Sequence, residues 1–289
     1  MMKRIIYIII GIAMCVSTSA ARLGDDARAQ STDSITICRL LAEAKHLPAN
    51  TCLPLHFAQK FIGIPYVAST LEGDKQERLV INTRQLDCTT LVETVTALTL
   101  CAQSGQYSWF AYKHVLTDLR YRGGIINGYP SRLHYFTEWI TDNTRAGVVA
   151  EIQAPNPPFT AVQNVRVSYM STHPQSYQAL REHPEYLSTI AKMERQVSGA
   201  KYRYIPKKAV GNHKLLRTVI KDGDIIAITC NKPGLDIAHL GFALWRKDGL
   251  HLLNASQRHH KVVIEPMTMY QYLQKHPSHT GIRIIRINK

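Results

Sequence analysis

The 289-residue sequence lacks the short motifs that identify the commonest metal and cofactor sites. It has no CxxC pair, no two cysteines at the spacing of a zinc site, and no HExxH among its 13 histidines. It also has neither a Walker loop nor a dinucleotide fingerprint, which argues against a nucleotide-dependent enzyme. We therefore expect a protein that uses no metal ion and no cofactor.

Acidic residues are scarce compared with basic ones. The chain has 21 Asp and Glu against 35 Lys and Arg, which gives a formal net charge of +14. A positive balance of this size suits an acidic ligand or surface. The basic residues are scattered, however, and the densest small run, at residues 206–208, does not have the character of a nucleic-acid-binding arm. We expect an acidic partner other than nucleic acid.

Long apolar runs are confined to the N-terminus. Residues 1–4 include two basic side chains, residues 5–16 form an unbroken apolar run, and residues 17–21 are small. This order is typical of a secretory signal peptide, and the run is too short to span a membrane comfortably. The sequence therefore predicts a signal peptide over residues 1–20, export to the periplasm, and no membrane span in the mature chain.

Cysteine is scarce too, and its placement leaves two questions open. A lipid anchor at Cys15 is the alternative to a cleaved signal peptide, but Met14 stands where a small residue is expected before a lipidated cysteine. Without Cys15 the chain keeps five cysteines, so at least one thiol stays free in a monomer. Cys38 and Cys52 are close enough in sequence to form a disulfide, and are equally well interpreted as buried thiols.

The N-terminal two-thirds is predicted to be mainly helical. Apolar residues at helical spacing, bounded by Pro and Gly, predict helices over residues 35–48, 54–63, 88–104 and 175–197. An aromatic-rich segment over residues 107–145 is broken by glycines between further helices, and residues 162–170 are predicted to form a strand.

The C-terminal third has a different pattern, with short apolar runs separated by turn residues. These runs predict strands over residues 224–229, 239–245, 250–255, 262–264 and 282–287. Asp248-Gly249 is a strong hairpin signal between two of them. Helices followed by a consecutive antiparallel meander predict the α+β class.

Cys88 is the residue whose position points to chemistry. It lies in the first turn of a predicted helix, directly after Asp87, which is a suitable N-cap. The unpaired N–H groups and the dipole at a helix start stabilise a thiolate, so we expect the pKa of Cys88 to be depressed. Cys88 is therefore a candidate nucleophile, and the alternative is an ordinary cysteine on the apolar face of a helix.

A nucleophilic cysteine needs a base, and His239 at the start of a predicted strand is the candidate. A third polar group on the next strand would fix the orientation of the imidazole. Asn254 and His251 are both available there. Side chains alternate along a strand, so these two point to opposite faces and at most one can face His239.

Four short segments, in order, resemble the NlpC/P-sixty superfamily of papain-like cell-wall hydrolases. They are Asp87-Cys88, the Gly-Asp at 223–224 before a strand, His239-Leu240-Gly241, and Asn254-Ala255-Ser256. Residues 127–136 and 169–174 resemble one branch of it, the N-acetylmuramoyl-L-alanine amidase-like proteins, formerly catalogued as a domain of unknown function. The similarity runs from about residue 37 to residue 289.

The resemblance implies a papain-like, NlpC-type fold in which the nucleophile helix packs on an antiparallel sheet. It implies a single catalytic domain over residues 21–289, with residues 105–215 as a large helical insertion that shapes the substrate cleft. The implied activity is cysteine-dependent cleavage of the amide between N-acetylmuramic acid, in its anhydro form, and L-Ala of the stem peptide. The implied partners are peptidoglycan fragments, whose carboxylates agree with the basic charge of the chain.

The resemblance also implies roles for individual residues. The catalytic set is Cys88, His239 and Asn254, the last chosen over His251 because Asn-Ala-Ser matches the superfamily motif better. The Cys88 backbone N–H is a natural oxyanion donor. The implied substrate-binding residues are Tyr66, Ser131, Arg132, His134, Tyr135 and Asp236.

Three of these assignments have alternatives. Tyr135 either contacts sugar or peptide or belongs to the helical core. Arg132 either binds a stem-peptide carboxylate in a bidentate manner or pairs with a nearby acidic residue. Asp236, three residues before His239, either contacts substrate or orders that loop.

Two other functions stay open at this stage. Many superfamily members cut γ-D-glutamyl links to a diamino acid, and the catalytic residues do not distinguish that bond from the amide. A catalytically silent muropeptide-binding protein is the alternative outside the enzymes, although the intact Cys88 and His239 argue against it. Transfer of lipid acyl groups, known in distant papain-like relatives, fits the signal peptide and the cell-wall signatures poorly.

Overall fold

The structure is a computed structural model that describes residues 31–72 and 76–288. The predicted signal peptide, Cys15 included, lies outside these residues. The helices are α1 (31–44), α2 (Leu53–Lys60), α3 (Cys88–Gln103), α4 (Trp109–Arg120), α5 (Phe136–Arg145), α6 (Tyr169–Thr172), α7 (Gln178–Glu182), α8 (Tyr186–Val197), α9 (His213–Leu216) and α10 (Met269–Gln274). None of these helices is both long and apolar enough to cross a membrane.

One antiparallel sheet forms the centre of the molecule. Its strands are β1 (Val149–Ile152), β2 (Ala161–Asn164), β3 (Lys201–Pro206), β4 (Ile225–Cys230), β5 (Ile237–Trp245), β6 (Leu250–Ser256), β7 (Lys261–Ile264) and β8 (His279–Ile287). The order across the sheet is β2-β3-β8-β4-β5-β6-β7, and β1 also pairs with β8. Helices combined with an antiparallel sheet confirm the predicted α+β class.

Helix α3 begins at Cys88 for a local reason. The Asp87 carboxylate accepts a hydrogen bond from the Thr90 N–H at 2.8 Å, and the Thr90 hydroxyl accepts one from the Asp87 N–H at 2.9 Å. This capping box satisfies backbone donors that have no partner inside the helix. The N-cap predicted at Asp87 is confirmed.

Both faces of the sheet are covered. Helix α3 packs against β5 and β6, and its Leu91 and Val95 share one hydrophobic core with Phe242 and Leu253. Helix α10 packs on the other face, where Leu273 joins a second core. Helix α3 therefore lies on an antiparallel sheet, as the resemblance implies.

The segment predicted as an insertion is joined to the sheet rather than appended to it. Strands β1 and β3, which belong to it, pair with β8. The fully buried Arg283 of β8 binds Glu151 of β1 at 2.6 Å, Thr137 Oγ1 of α5 at 2.8 Å and Gln163 of β2 at 3.3 Å. A third hydrophobic core, which includes Tyr135 and Met170, holds the inserted helices together.

Several local predictions are wrong in extent. The strand predicted over 162–170 ends at Asn164, and helix α6 begins within its last residues. The helix predicted over 175–197 is broken before Pro184, because proline has no N–H for the helix ladder and disfavours the helical conformation at the residue before it. Strands β1 and β3 and helix α10 were not predicted.

Candidate active site

Cys88 lines a pocket between α3, the start of α5 and the loop that leads into β5. The pocket has a volume of about 170 Å³. Its lining residues are Cys88, Thr89, Leu133, His134, Tyr135, Phe136, Met170, Tyr177 and residues 235–240. The pocket therefore brings together the first residue of α3, the segment around residue 134 and His239.

His239 of β5 is held by Asn254 of β6. The imidazole Nε2 lies 2.9 Å from the Asn254 side-chain oxygen. An amide oxygen only accepts hydrogen bonds, so Nε2 carries the proton, and in the neutral ring Nδ1 has the lone pair. The Asn254 amide nitrogen donates to the Leu252 carbonyl at 3.2 Å, which fixes the orientation of the amide.

Gly241 allows this close approach of β5 and β6. A Cβ atom at this position would lie 2.6 Å from the Leu253 carbonyl oxygen and 2.7 Å from the Leu252 side chain. Both distances are shorter than real Cβ contacts, so a larger residue would push the strands apart. The glycine of the His239-Leu240-Gly241 segment is therefore required by packing.

His251 lies away from His239. Its Nδ1 is 2.9 Å from the Glu265 carbonyl and its Nε2 is 3.0 Å from the Asp248 carboxylate. It is buried and opposite Leu244 in the β5–β6 register. The structure thus brings Asn254, and not His251, to His239.

The thiol of Cys88 is neutral in this structure, contrary to the expectation of a depressed pKa. Burial raises the pKa of Cys88 to about 12, and the Asp87 charge adds to the rise, whereas hydrogen bonds from the Leu240 N–H and the Thr89 hydroxyl act in the opposite direction. The positive end of α3 is already occupied by the Asp87 carboxylate. Removal of water around the sulfur therefore outweighs the effect of the helix start.

Burial also lowers the pKa of His239 below its ordinary value of 6.5, although the bond to Asn254 opposes this. At neutral pH the site therefore contains a thiol and a neutral imidazole. In such a pair the thiol proton moves to the imidazole as the sulfur attacks. The alternative, a thiolate–imidazolium pair formed before substrate binds, is disfavoured.

Tyr66 lies near Cys88 and Asp87, beside the N-terminal end of α3. It forms a bridge with Leu86, and both Tyr66 and Cys88 are partly buried against the first hydrophobic core. Burial raises the pKa of Tyr66 to about 12, and the nearby Cys88 and Asp87 add to the rise. Its phenol is therefore a neutral group able to donate a hydrogen bond next to the sulfur.

Ser131 and Arg132 make internal contacts. The Ser131 hydroxyl donates to the Gly128 carbonyl at 2.7 Å and accepts from the Asn127 N–H at 3.0 Å. The Arg132 guanidinium binds Glu77 and Glu72 at 2.6 and 2.7 Å, and it is 92% buried. Of the two interpretations of Arg132, the structure shows the pairing with nearby acids.

His134 and Tyr135 both line the pocket as uncharged groups. The His134 Nε2 lies 2.9 Å from the Tyr129 carbonyl, and burial lowers the pKa of His134 to about 3. The Tyr135 hydroxyl donates to Glu194 at 2.7 Å and accepts from the Met170 N–H at 3.1 Å. These bonds fix the wall that the inserted segment presents to Cys88.

Asp236 orders the loop before β5. Its carboxylate accepts from the Thr137 N–H at 2.7 Å and from the Ile237 N–H at 2.8 Å. Because Tyr135 provides no side-chain cap for α5, Asp236 supplies the missing acceptor across 99 residues of sequence. Asp236 thus connects the inserted helix to the strand that carries His239.

Sequence reasoning missed two pocket residues, Met170 and Tyr177. Met170 lies within the segment 169–174 that carries the family resemblance, and Tyr177 follows it closely, so this segment was the available signal. Cys38 and Cys52 are both free thiols, and the Cys52 sulfur donates to the Asp222 carbonyl at 3.3 Å. Within residues 31–72 and 76–288, no group of His, Cys, Asp or Glu side chains is arranged to hold a metal ion.

A family model of N-acetylmuramoyl-L-alanine amidase-like proteins matches residues 56–282. The match covers most of the chain and includes Cys88, His239 and Asn254. The chain belongs to the N-acetylmuramoyl-L-alanine amidase-like family. No curated protein is similar enough to count as a match.

Solved structures include relatives of this amidase-like chain. It is 42% identical to an N-acetylmuramoyl-L-alanine amidase from Bacteroides uniformis, with a TM-score of 0.77 over 82% of this chain and 98% of that one. A Bacteroides fragilis protein named as a xylanase is also 42% identical, with a TM-score of 0.76 over 81% and 100% of the two chains. A Legionella pneumophila protein at 21% identity shares the fold, with a TM-score of 0.71 over 91% and 97%.

Proposed function

We propose that this protein is a cysteine-dependent amidase that cleaves the bond between N-acetylmuramic acid and L-Ala in peptidoglycan fragments. The observation that carries the proposal is the arrangement of Cys88 as the first residue of α3, in a pocket with His239, whose ring is fixed by the 2.9 Å bond to Asn254. This is the order of nucleophile, base and orienting amide found in papain-like, NlpC-type hydrolases, and membership of the amidase-like family supports it.

The proposed reaction proceeds in two balanced steps. The Cys88 sulfur attacks the lactyl carbonyl of muramic acid while His239 Nδ1 accepts the thiol proton. The imidazolium then gives this proton to the nitrogen of L-Ala, and the stem peptide leaves with a free amine. Water, deprotonated by His239, attacks the thioester, and the muramic acid leaves as a carboxylic acid while the thiol is restored.

The negative oxygen that forms during attack needs hydrogen-bond donors. The Cys88 backbone N–H at the helix start is one, since the first N–H groups of a helix have no partner within it. The Tyr66 phenol, held neutral beside the sulfur, is a second candidate. Asn254 keeps Nδ1 of His239 directed to the reacting atoms by fixing the other ring nitrogen.

The lining of the pocket favours a neutral sugar as the acyl group. Among the described residues, the pocket lining includes no Lys or Arg, and His134 is neutral. The Asp236 carboxylate already accepts hydrogen bonds from two backbone N–H groups. A γ-D-glutamyl endopeptidase would place the free α-carboxylate of D-Glu on this acyl side. The absence of a cation in the lining therefore favours the muramyl amide over the γ-D-glutamyl link.

The walls of the pocket also bear on the form of the sugar. Tyr135, Met170 and Tyr177 close it on the side of the inserted segment. A wall on this side leaves more room for a single terminal sugar than for a continuous glycan strand, which agrees with anhydro-muropeptides as substrates. We place the protein in the periplasm, exported by the signal peptide over residues 1–20, where such fragments are released.

The relative named as a xylanase does not change this proposal. Glycoside hydrolysis uses two carboxyl groups on opposite sides of the scissile bond. Near Cys88, the Asp87 carboxylate caps α3 and the Asp236 carboxylate caps α5, so neither is available as an acid or a nucleophile. A thiol and a neutral imidazole suit acyl transfer instead.

The test is digestion of defined muropeptides, with and without the anhydro sugar, followed by mass spectrometry of the products. We expect wild type to release the intact stem peptide, and Cys88→Ala to bind the muropeptide without cleaving it. Cys52→Ala, a half-buried thiol outside the pocket, is the matched control and should keep full activity. Cleavage after D-Glu would support the γ-D-glutamyl alternative, and binding by wild type without cleavage would support the silent binding protein.

A further inference from the structure

A stack of aromatic rings lies at the C-terminal end of α10. The rings of Tyr272 and His276 have centroids 4.3 Å apart, and those of His276 and His279 are 4.6 Å apart with an angle of 13° between their planes. We call His276 and His279, with the neighbouring Lys207 and Lys232, the histidine cluster. None of these four residues lines the pocket at Cys88.

The histidine cluster lies two strands away from His239 across the central sheet. His239 lies opposite Ile228 on β4, and Cys230, two residues further along β4, lies opposite His279 on β8. Residues two apart on a strand share a face, so His239 and His279 are on the same face with β4 between them. Two strand spacings across the sheet, together with the two-residue offset along β4, put their backbones about 12 Å apart.

The cluster is cationic at its edge. The Lys207 ammonium donates to the His276 carbonyl at 3.1 Å, and the loop that carries Lys232 is tied to Ser278 by a 3.0 Å backbone bond from Asn231. Burial lowers the pKa of His279 to about 4, and charges on His276, His239, Lys207 and Lys232 add to the fall. His279 is therefore a neutral ring surrounded by positive groups.

Two ring nitrogens of the cluster point to an absent ligand. His279 is 92% buried. Even so, its Nδ1 has no hydrogen-bond partner among the residues that the structure describes. Nδ1 of His276 lies 2.7 Å from the Tyr272 carbonyl and must donate to it, so Nε2 donates to a carboxylate only when the ring carries both protons. The Glu265 carboxylate is close enough to act on Tyr272 and His239, and it also pairs with His259 at 3.4 Å.

The reaction mechanism indicates which part of the substrate lies near the histidine cluster. The base that takes the thiol proton later gives it to the leaving amine, so the leaving group lies on the His239 side of the scissile bond. In the proposed function the leaving group is the stem peptide. Its second residue, D-Glu, is linked through its γ-carboxyl and therefore carries a free α-carboxylate.

We infer that the histidine cluster is the subsite for the α-carboxylate of the second stem-peptide residue. The inference rests on the proposed function. Two residues of extended peptide span about 7 Å, which carries this carboxylate from the scissile nitrogen toward His276 and His279. The acyl pocket is uncharged and the leaving-group side is cationic, so the two sides of His239 match the neutral sugar and the acidic peptide.

The experiment compares two substrates, anhydro-muramyl-L-Ala-D-Glu and the same dipeptide with the α-carboxylate converted to a carboxamide. For wild type we expect kcat/KM to be about tenfold to a hundredfold higher for the acid, the effect of one charge-assisted hydrogen bond. Lys232→Gln and His276→Gln should lower kcat/KM for the acid toward that for the amide, and leave the amide nearly unchanged. His114→Gln, an exposed histidine on α4, is the matched control and should change neither value.

Each other outcome has a definite meaning. If wild type cleaves both dipeptides equally well at the muramyl amide, the subsite is wrong and the proposed function stands. If the two variants lower kcat/KM equally for both dipeptides, the cluster acts only through the position of His239, and the subsite is again wrong. If neither dipeptide is cleaved at this amide, the proposed function fails, and the inference fails with it.

Discussion

Nε2 of His239 and the side-chain oxygen of Asn254 lie 2.9 Å apart, across the two strands of the hairpin that carries them. The bond determines which ring nitrogen holds the proton and leaves the lone pair on the other. It depends on Gly241, which lets the strands approach, and on the Leu252 carbonyl, which holds the amide. The orientation of the proposed base is thus built into the sheet.

We predict that Asn254→Ala lowers kcat by about one to three orders of magnitude while measurable activity remains, because the amide orients the base but does not react. The measurement is steady-state kinetics on an anhydro-muropeptide, with circular dichroism to show that the variant is folded. His251→Ala is the control. It should melt earlier, because it loses contacts to Glu265 and Asp248, yet keep kcat. The opposite ranking of kcat values would assign the orienting role to His251.

We predict that Cys88 reacts slowly with iodoacetamide at neutral pH in the absence of substrate. The pKa of its thiol is raised to about 12, so the reactive thiolate is rare, and the rate should increase about tenfold per pH unit between 8 and 10. Mass spectrometry of labelled protein measures the rate, with Cys88→Ala to identify labelling at Cys38, Cys52 and Cys230. A rate that is already constant below pH 7 would show a preformed thiolate and contradict this electrostatic description.

We predict that the acid limb of the kcat/KM profile lies below pH 6.5. His239 acts as a base only when neutral, and burial lowers its pKa below the ordinary value of 6.5, so the ring stays neutral when the pH falls from 7 to 6. Initial rates across pH 4–8, in buffers of constant ionic strength, test this. Loss of most activity between pH 7 and 6.5 would mean that the base has a raised pKa.

We predict that Arg132→Met lowers the free energy of unfolding by about 3–5 kcal/mol, because it leaves the carboxylates of Glu72 and Glu77 without their cation. The KM for a muropeptide should change less than about twofold, since Arg132 does not line the Cys88 pocket. Urea denaturation and steady-state kinetics measure the two effects. Arg39→Met, which breaks an exposed pair with Glu43, should cost less than about 1 kcal/mol. A large rise in KM with unchanged stability would contradict this prediction and show that Arg132 belongs to the substrate site.

The sequence predicted those parts of the site that depend on local patterns. The start of α3 follows from Asp87 and Thr90, which lie three residues apart. The β5–β6 hairpin follows from its apolar runs and the turn between them, and strand alternation alone separates the faces of His251 and Asn254. Short-range chemistry of this kind can be recognised without tertiary structure.

Long-range contacts could not be predicted in the same way. Arg132 meets Glu72 and Glu77 across 60 and 55 residues, and no local pattern selects these partners among the acidic residues of the chain. The raised pKa of Cys88 depends on how much water the surrounding elements exclude, which the helix position does not reveal. Strands β1 and β3 were missed because their partner, β8, is distant in sequence.

Arg283 and the strand that carries it have a consequence for the order in which the molecule is assembled. The side chains that Arg283 binds on α5 and β1 precede it by 146 and 132 residues. During synthesis, the segment that forms the pocket wall leaves the ribosome long before β8 exists. Until then β1 has no partner in the central sheet, and β3 pairs only with β2. Completion of the wall waits for residues 279–287. A chain whose translation stops before them, or a fusion that displaces them, should therefore give no active fragment, even though Cys88, His239 and Asn254 are all present.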